Sequence, residues 1–174
     1  VDTDPDGVTL EDGTKQATAN GSDIGNSVPN NPIVITPDTA AGIPWRGAMV
    51  YINDFEGKIT KINLTTSNEY GAEYFSQTTL ARLNANKVNQ RYSYFSMDAG
   101  IGQTDGELWL FGGTGDFANL GLVTTGMDNI LYGVKDEDYP YFRHLQDIKI
   151  PSPYQVGGAR DPNFIKYAHL GANE

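Results

Sequence analysis

A chain of 174 residues has room for one domain or for a piece of a larger one. It carries 12 Lys and Arg against 22 Asp and Glu, and this net charge of −10 argues against nucleic acid or an anionic membrane surface as a partner. Cysteine is absent, which excludes a disulfide framework, a thiolate metal site and a cysteine nucleophile. No apolar run approaches the roughly 18 residues of a membrane span, so we expect no membrane insertion.

The N-terminal region, residues 1–44, differs from the rest of the chain in composition. It is rich in Asp, Gly, Asn, Ser, Thr and Pro and contains no aromatic residue. Such a segment buries too little apolar surface to offset the entropy of ordering it, unless a ligand or a neighbour helps. We therefore predict loop structure here, with one short strand over residues 32–36.

A β-hairpin is predicted after Trp45. Residues 48–53 are mostly apolar and include Val50 and Ile52, which favours a strand. Residues 54–57 contain Asp and Gly, which are common in turns. Residues 58–64 then mix polar and apolar side chains in the near-alternating pattern of a second strand. A four-residue loop that contains Gly is typical of a hairpin.

Four further elements are predicted between residues 78 and 134. Residues 78–89 predict a short helix, and residues 91–97, 108–112 and 130–134 predict strands. The continuous apolar run at 108–112 is typical of a strand that is buried on both faces.

Beyond Asp136 the sequence predicts mostly irregular structure, with a short strand at 147–150 and a tail at 151–174 that is irregular or begins another blade. Short aromatic strands punctuated by Gly are typical of a β-propeller. At about 45 residues per four-stranded blade, the chain holds at most three or four blades. The predicted fold is therefore all-β: a partial β-propeller with long irregular loops, its blades lying within residues 45–150.

The most specific local motif is the acidic run at residues 2–7, which matches the start of a D-x-[DN]-x-[DN]-G calcium loop. Ca²⁺ needs roughly six to eight oxygen ligands, and carboxylates at alternate positions converge when Gly allows a sharp turn. Position twelve of the motif is Gly13 and not Glu, so an earlier carboxylate would close the shell. The alternative is a solvated acidic loop. The predicted Ca²⁺ ligands are the side chains of Asp2, Asp4, Asp6 and Asp12 and the backbone carbonyl of Val8.

Weaker candidates lie elsewhere. Residues 112–116 read GGTGD but lack the Lys-Ser/Thr of a phosphate loop, so they predict a strand-end turn with positive φ. Asp98, Asp105 and Asp116 could act in general acid–base catalysis only if the fold brings their carboxylates close together. The two histidines, His144 and His169, are too few for a three-histidine metal site.

Six aromatic residues are open to two interpretations. They could form a ligand-binding surface, or they could pack in the core and between blades. They are Tyr92, Tyr94, Phe95, Tyr139, Tyr141 and Phe142. No catalytic sequence motif accompanies them, so we expect a protein that is not an enzyme.

Three segments, in order, resemble motifs of the PilC/PilY family of type IV pilus tip-associated adhesins, which carry a C-terminal β-propeller. Residues 51–64 (YINDFEGKITKINL) resemble that family's "Y-x-G-D-x-x-G-x-x-x-K/R-x-D-L" blade hairpin. Residues 110–117 (LFGGTGDF) resemble its "F-G-T-G-x-Y/F" strand end, and residues 130–136 (ILYGVKD) resemble its "x-x-Y-G-[IV]-x-D" strand.

This resemblance implies a quinoprotein-like propeller fragment at the extracellular pilus tip, with a non-catalytic role in pilus assembly, retraction control, surface adhesion and twitching motility. It also implies a calcium loop before the first hairpin. The expected partners are minor pilins and a host or abiotic surface. Two alternatives are a pyrroloquinoline-quinone-type dehydrogenase, which uses a related propeller, and a structural extracellular module with calcium-stiffened loops.

Overall fold

The structure is a computed structural model that describes residues 8–9, 15–16, 27–36, 46–66, 74–83, 85, 89, 91–104, 106–121, 126–142, 148–149 and 165–171. Within these residues the secondary structure is almost entirely β. The strands are β1 Val8–Thr9, β2 Lys15–Gln16, β3 Ile33–Ile35, β4 Gly47–Asn53, β5 Lys58–Thr65, β6 Gln77–Arg82, β7 Asp98–Ile101, β8 Leu108–Gly113, β9 Asn129–Asp136, β10 Ile148–Lys149 and β11 Ile165–Gly171. A 3₁₀ turn spans Phe117–Asn119.

Two larger sheets are present: the first is built around the consecutive strands β3 to β6, and the second contains β7, β8, β9 and β11. In the first sheet the order is β10-β6-β5-β4-β3, in which β3 to β6 form an antiparallel meander and β10 joins β6 in parallel. In the second sheet the order is β11-β9-β8-β7, and all pairs are antiparallel. β1 and β2 pair separately in a small antiparallel ladder. The strand β11 is one that no sequence pattern had predicted.

The β4–β5 hairpin is confirmed, and its turn is made by the residues that predicted it. The Asp54 carboxylate accepts a hydrogen bond from the Lys58 backbone N–H at 2.9 Å, and the Asp54 carbonyl accepts one from Gly57 at 2.9 Å. Gly57 has φ of 75°, a conformation that an L side chain adopts only under strain. A Cβ there would also collide with Leu83, so the turn requires glycine.

One apolar core joins the two sheets. Its members come from the facing sides of both sheets and from the segments between them, so burial of this surface stabilises the pair of sheets as a unit. They are Met49, Tyr51, Ile59, Leu80 and Ala81 from the first sheet, Leu108, Leu110, Ile130, Tyr132 and Val134 from the second, and Leu83, Met97 and Phe142.

The helix predicted over residues 78–89 is wrong. Residues 77–82 form β6, which pairs with β5 and buries Leu80 and Ala81 completely. Two adjacent β-branched residues, Thr78 and Thr79, suit a strand better than a helix. Tertiary pairing with β5 decided the conformation, as it commonly does for short ambiguous segments.

The strand predicted over residues 91–97 is also wrong, because none of these residues joins a ladder and the strand β7 begins at Asp98, after the predicted segment has ended. The segment instead connects the sheets through single hydrogen bonds. The Ser93 N–H donates to the Phe55 carbonyl at 2.9 Å, and the Tyr92 carbonyl accepts from Gly115 at 2.8 Å. The alternating polar and aromatic residues of this segment therefore belong to a connection that contacts the β4–β5 turn at Phe55 and the loop after β8 at Gly115.

The strand predicted at 108–112 is confirmed as β8, but only one of its faces is fully buried. Leu108 and Leu110 lie in the core, whereas Phe111 is 48% exposed on the outer face. Gly112 does not have the predicted positive φ. It is instead a point of close approach, where a Cβ would collide with the Tyr132 hydroxyl group.

The all-β class is thus confirmed, as are the strands predicted near 32–36, 130–134 and 147–150. The described residues do not close into a barrel or a propeller ring. Among them, no helix has the length and the apolar composition that crossing a bilayer would require.

Candidate functional site

Most of the predicted calcium loop lies outside the described residues. This applies to Asp2, Asp4, Asp6 and Asp12. The fifth predicted ligand, Val8, begins β1, and its backbone pairs with Gln16 of β2. The run of alternate carboxylates thus leads directly into a short antiparallel ladder, and Asp12 falls in the connection between its two strands.

The predicted carboxylate cluster is not assembled by the described residues. The Asp98 side chain accepts a hydrogen bond from the Ala99 N–H at 2.8 Å, so it caps its own strand. Asp116 caps the 3₁₀ turn through the Ala118 N–H at 3.1 Å and accepts from the Tyr94 hydroxyl at 3.1 Å. Asp105 is outside the described residues. In the part of the chain that the structure describes, no three His, Cys, Asp or Glu side chains lie together in a way that would hold a metal ion.

A buried polar cluster links the two sheets; we call it the inter-sheet cluster, and it consists of Tyr51, Lys61 and Asp136. Lys61 Nζ lies 2.6 Å from Asp136 Oδ2, and both side chains are fully buried. The Tyr51 hydroxyl donates to the same Oδ2 at 2.6 Å. Tyr51 and Lys61 belong to adjacent strands of the first sheet, whereas Asp136 ends β9 in the second. The carboxylate therefore joins one sheet to the other.

Further contacts complete the surroundings of the inter-sheet cluster. Lys61 Nζ donates to the Tyr141 carbonyl at 2.7 Å and lies 5.9 Å from the centre of the Phe142 ring. Asp136 Oδ1 accepts a hydrogen bond from the Asp138 N–H at 3.2 Å. Both carboxylate oxygens thus have donors, as buried charges require.

Burial sets the electrostatics of this cluster. It lowers the pKa of Lys61, because the ammonium form loses hydration, although the neighbouring Asp136 carboxylate acts in the opposite direction. Burial also raises the pKa of Tyr51 well above its ordinary value, and the adjacent carboxylate adds to the shift. The tyrosine is therefore a neutral hydrogen-bond donor over the whole physiological pH range.

A second buried ion pair lies just before β9. The Arg91 guanidinium contacts the Asp128 carboxylate, and its Nε–H also donates to the Asp128 carbonyl at 2.9 Å. Another of its nitrogens donates to the Leu83 carbonyl at 3.2 Å. Arg91 thereby ties the connection between the sheets to the segment that enters β9.

The six aromatic residues divide between the two interpretations. Phe142 lies in the core, and Tyr139 packs against it. Tyr141 is half-buried and makes no ring contact with the others that the structure describes. The half-buried Tyr92 and Tyr94 and the exposed Phe95 pack together with two residues that the sequence does not single out, and we call these five the surface aromatic cluster. Its members are Phe55, Tyr92, Tyr94, Phe95 and Phe117.

The surface aromatic cluster combines close ring packing with high exposure of two of its five members. Phe55 stacks on Tyr92 with ring centres 4.6 Å apart, and Phe95 meets Phe117 edge to face at 5.7 Å. Phe95 and Phe117 nevertheless expose 65% and 59% of their surface. Exposed aromatic side chains of this size are common in contact surfaces, so the cluster is a candidate binding surface.

The inter-sheet cluster was not predicted as a site, although its residues belong to the motifs quoted above. Tyr51 and Lys61 stand in the hairpin motif, and Asp136 ends the Y-G-[IV]-x-D motif. The sequence does show a charged residue on each side, since Lys61 lies within one predicted strand and Asp136 lies just after another. That signal does not reveal that the two charges face each other, because their positions are 75 residues apart in the chain.

Comparison of the chain with family models, with curated proteins and with solved structures finds no match.

Proposed function

We propose that this chain is a non-catalytic, calcium-binding β-propeller segment of a PilC/PilY-type pilus tip protein. In this proposal it acts outside the cell, in type IV pilus assembly, surface adhesion and twitching motility. Its partners are minor pilins and a host or abiotic surface.

The observation that carries the proposal is the meeting of the motif residues. Two motifs that are separate in the sequence supply opposite sides of one buried contact, since Tyr51 and Lys61 of the hairpin motif both hold Asp136 of the later strand motif. Two further hairpin-motif residues, Asp54 and Gly57, form the turn. Residues of two motifs that contact each other in the fold support the resemblance better than three short sequence matches with no contact between them would.

The strand order agrees with blade architecture. Propeller blades are four-stranded antiparallel sheets that repeat along the chain. Here β3–β6 form one antiparallel meander, to which β10 adds a parallel fifth strand, and β7, β8, β9 and β11 form a second; the two share one core. We take these meanders as two neighbouring quinoprotein-like blades.

The proposed metal is Ca²⁺, held by the side chains of Asp2, Asp4, Asp6 and Asp12 and by the Val8 carbonyl. Their chemistry suits this ion, because Ca²⁺ prefers carboxylate and carbonyl oxygens and tolerates irregular loops. Binding would order the N-terminal loop against the β1–β2 ladder, and thereby control how the chain engages its partners.

Calorimetric titration with Ca²⁺ tests the metal. We expect heat of binding and a rise in melting temperature for the wild-type chain, and loss of both in Asp4→Ala. The matched control is Asp98→Ala, which removes an exposed carboxylate outside the loop and should leave Ca²⁺ binding unchanged. A wild-type chain that gives neither heat nor a thermal shift would remove calcium from the proposal.

Affinity purification from sheared pilus fractions tests the pilus role. The tagged chain should co-purify with minor pilins, and substitution of Phe95 and Phe117 by Ser tests whether the surface aromatic cluster makes the contact. Calcium binding without any pilin would favour the structural extracellular module. A quinone absorbance band in the purified chain would favour the dehydrogenase.

A further inference from the structure

We propose that Lys61 and Asp136 are the two halves of an intramolecular amide cross-link, in which Lys61 Nζ becomes bonded to Asp136 Cγ and the two sheets are joined covalently. The cross-link goes beyond the pilus assignment and does not rest on it.

The reacting atoms already stand close together in a buried site. Nζ lies 2.6 Å from Oδ2, and Cγ is one bond beyond that oxygen. The amine therefore lies near the roughly 3–3.5 Å separation of a near-attack arrangement. Holding two groups in this way raises their effective concentration by many orders of magnitude, which favours condensation over hydrolysis.

Burial favours the uncharged reactants and the uncharged product. Both side chains are fully buried, and an ion pair in an apolar interior retains a large desolvation penalty. Transfer of a proton from Nζ to Oδ2 gives a neutral amine and a neutral acid. Burial lowers the pKa of Lys61, which makes its neutral amine easier to form. The product amide carries no charge, so condensation removes the penalty altogether.

The bond changes balance with release of one water molecule. After the first proton transfer, the Nζ lone pair attacks Cγ and the C–N bond forms. A second proton passes from nitrogen to Oδ2, the Cγ–Oδ2 bond breaks, and water leaves. One N–H remains on the amide. No oxidant, metal or co-reactant is needed.

The surrounding hydrogen bonds match each atom of this reaction. The Tyr51 hydroxyl donates to Oδ2, the oxygen that departs as water, and holds it in place while it is protonated. The negative charge that develops during the attack falls on the other oxygen, Oδ1, where a donor stabilises it. The Asp138 N–H donates to Oδ1, which becomes the amide oxygen. The Tyr141 carbonyl lies 2.7 Å from Nζ and can accept from the single N–H that is left. Each polar atom of the product amide therefore has a hydrogen-bond partner close by.

The ion pair between Arg91 and Asp128 provides an internal contrast. It is also buried, but a guanidinium stays protonated in proteins and is not a nucleophile. Proximity to a carboxylate is therefore not enough, and the proposal concerns Lys61 only.

Mass spectrometry of the folded, full-length chain, sprayed from denaturing solvent, tests the cross-link. We expect a mass lower than the sequence mass by one water molecule, and fragmentation that finds Lys61 and Asp136 in one branched peptide. Lys61→Arg should have its full sequence mass. Lys135→Arg, which changes the lysine next to Asp136 in the sequence, should retain the loss. Asp136→Asn offers an amide in place of the acid and should lose ammonia instead of water.

Three results would overturn the proposal. The first is a cooperatively folded wild-type chain with its full sequence mass. The second is a loss of water that persists in Lys61→Arg. The third is a loss that maps to an Asp-Gly pair such as Asp6-Gly7 or Asp105-Gly106, where succinimide formation also releases water.

Discussion

The two ends of β9 are both held by buried ion pairs, but the pairs are built differently. At the end of the strand, Asp136 meets the compact ammonium group of Lys61 and the Tyr51 hydroxyl, all within the core between the sheets. Just before the strand, Asp128 meets the Arg91 guanidinium, which also bonds two backbone carbonyls.

The difference separates two ways of using a buried charge. Arginine offers several fixed donors, so it can bind a carboxylate and order two backbone segments at once while keeping its charge. Lysine offers one nitrogen whose protonation responds to burial. We therefore assign an architectural role to the Arg91 end and a role in joining the sheets, with reactive potential, to the Lys61 end.

The largest effect is expected for Asp136→Ala. It leaves the Lys61 amine and the Tyr51 hydroxyl without their shared acceptor inside the core, and removal of one partner of a buried pair costs about 3–5 kcal/mol. Urea denaturation measures the change. Asp98→Ala, at an exposed carboxylate, is the control and should change stability little. A loss below about 1 kcal/mol in Asp136→Ala would contradict the assigned role.

Arg91→Met should lower the free energy of unfolding by about 3 kcal/mol, near the low end of the range for a broken buried pair. The value is lower because the Asp128 side chain retains 12% exposure and can recover some hydration. The same denaturation experiment measures it, with the exposed-site variant Arg46→Met as the control. An Arg91→Met chain as stable as the wild type would remove the contrast between the two ends of β9.

The middle of β9 provides a smaller test. Gly112 of β8 lies opposite Tyr132 of β9, and Gly112→Ala would push a methyl group into the tyrosine hydroxyl. Overpacking of this kind costs roughly 1–2 kcal/mol. Thermal and urea unfolding should show the loss. In Gly115→Ala the added methyl group meets nothing within 4 Å, so that variant should be neutral or slightly stabilised. Equal behaviour of the two variants would contradict the packing described.

The smallest effect concerns Asp54, a carboxylate outside both ion pairs. Burial raises its pKa above the ordinary value, although its hydrogen bond with the Lys58 backbone and the Lys58 charge act in the opposite direction. A raised pKa in the folded state means that this contribution to stability is fully present below the unfolded pKa of about 3.9 and is lost as pH rises through the folded pKa.

Asp54→Asn retains the oxygen acceptor of the turn but cannot ionise. Relative to wild type, it should therefore gain stability between about pH 4 and pH 7, by less than about 1 kcal/mol because the Lys58 N–H and the Lys58 charge offset part of the effect of burial. Denaturation at both pH values measures this, with Asp98→Asn as the control. A stability difference between Asp54→Asn and wild type that does not change with pH would contradict the direction of the shift.

Local patterns were sufficient where a segment's neighbours in sequence are also its neighbours in the sheet. The β4–β5 hairpin is such a case, since Asp54 and Gly57 predict the turn and the two strands flank it directly. The segment at 77–82 is the opposite case: its own residues permit helix or strand, and pairing with β5 decides. β11 was missed because its partner, β9, lies about 30 residues earlier in the chain.

The inter-sheet cluster could not be predicted for the same reason. In β5 the apolar residues Ile62 and Leu64 would be placed inward by simple alternation, yet the structure buries Lys61 and Asn63 more completely than either. The burial of Lys61 makes sense only once Asp136 is opposite it. The sequence pattern of a single strand does not predict that a charge in it is neutralised by a residue far away in the chain.

The central claim is that Lys61 and Asp136 hold the two sheets together as a pair, and a double-mutant cycle with Lys61→Met and Asp136→Ala tests it most directly. Urea denaturation of the wild type, both single variants and the double variant gives the coupling free energy. We predict at least about 1.5 kcal/mol, with the double variant losing far less stability than the sum of the two single losses. Losses that add to within about 0.5 kcal/mol would show that the two residues act independently and would contradict the account.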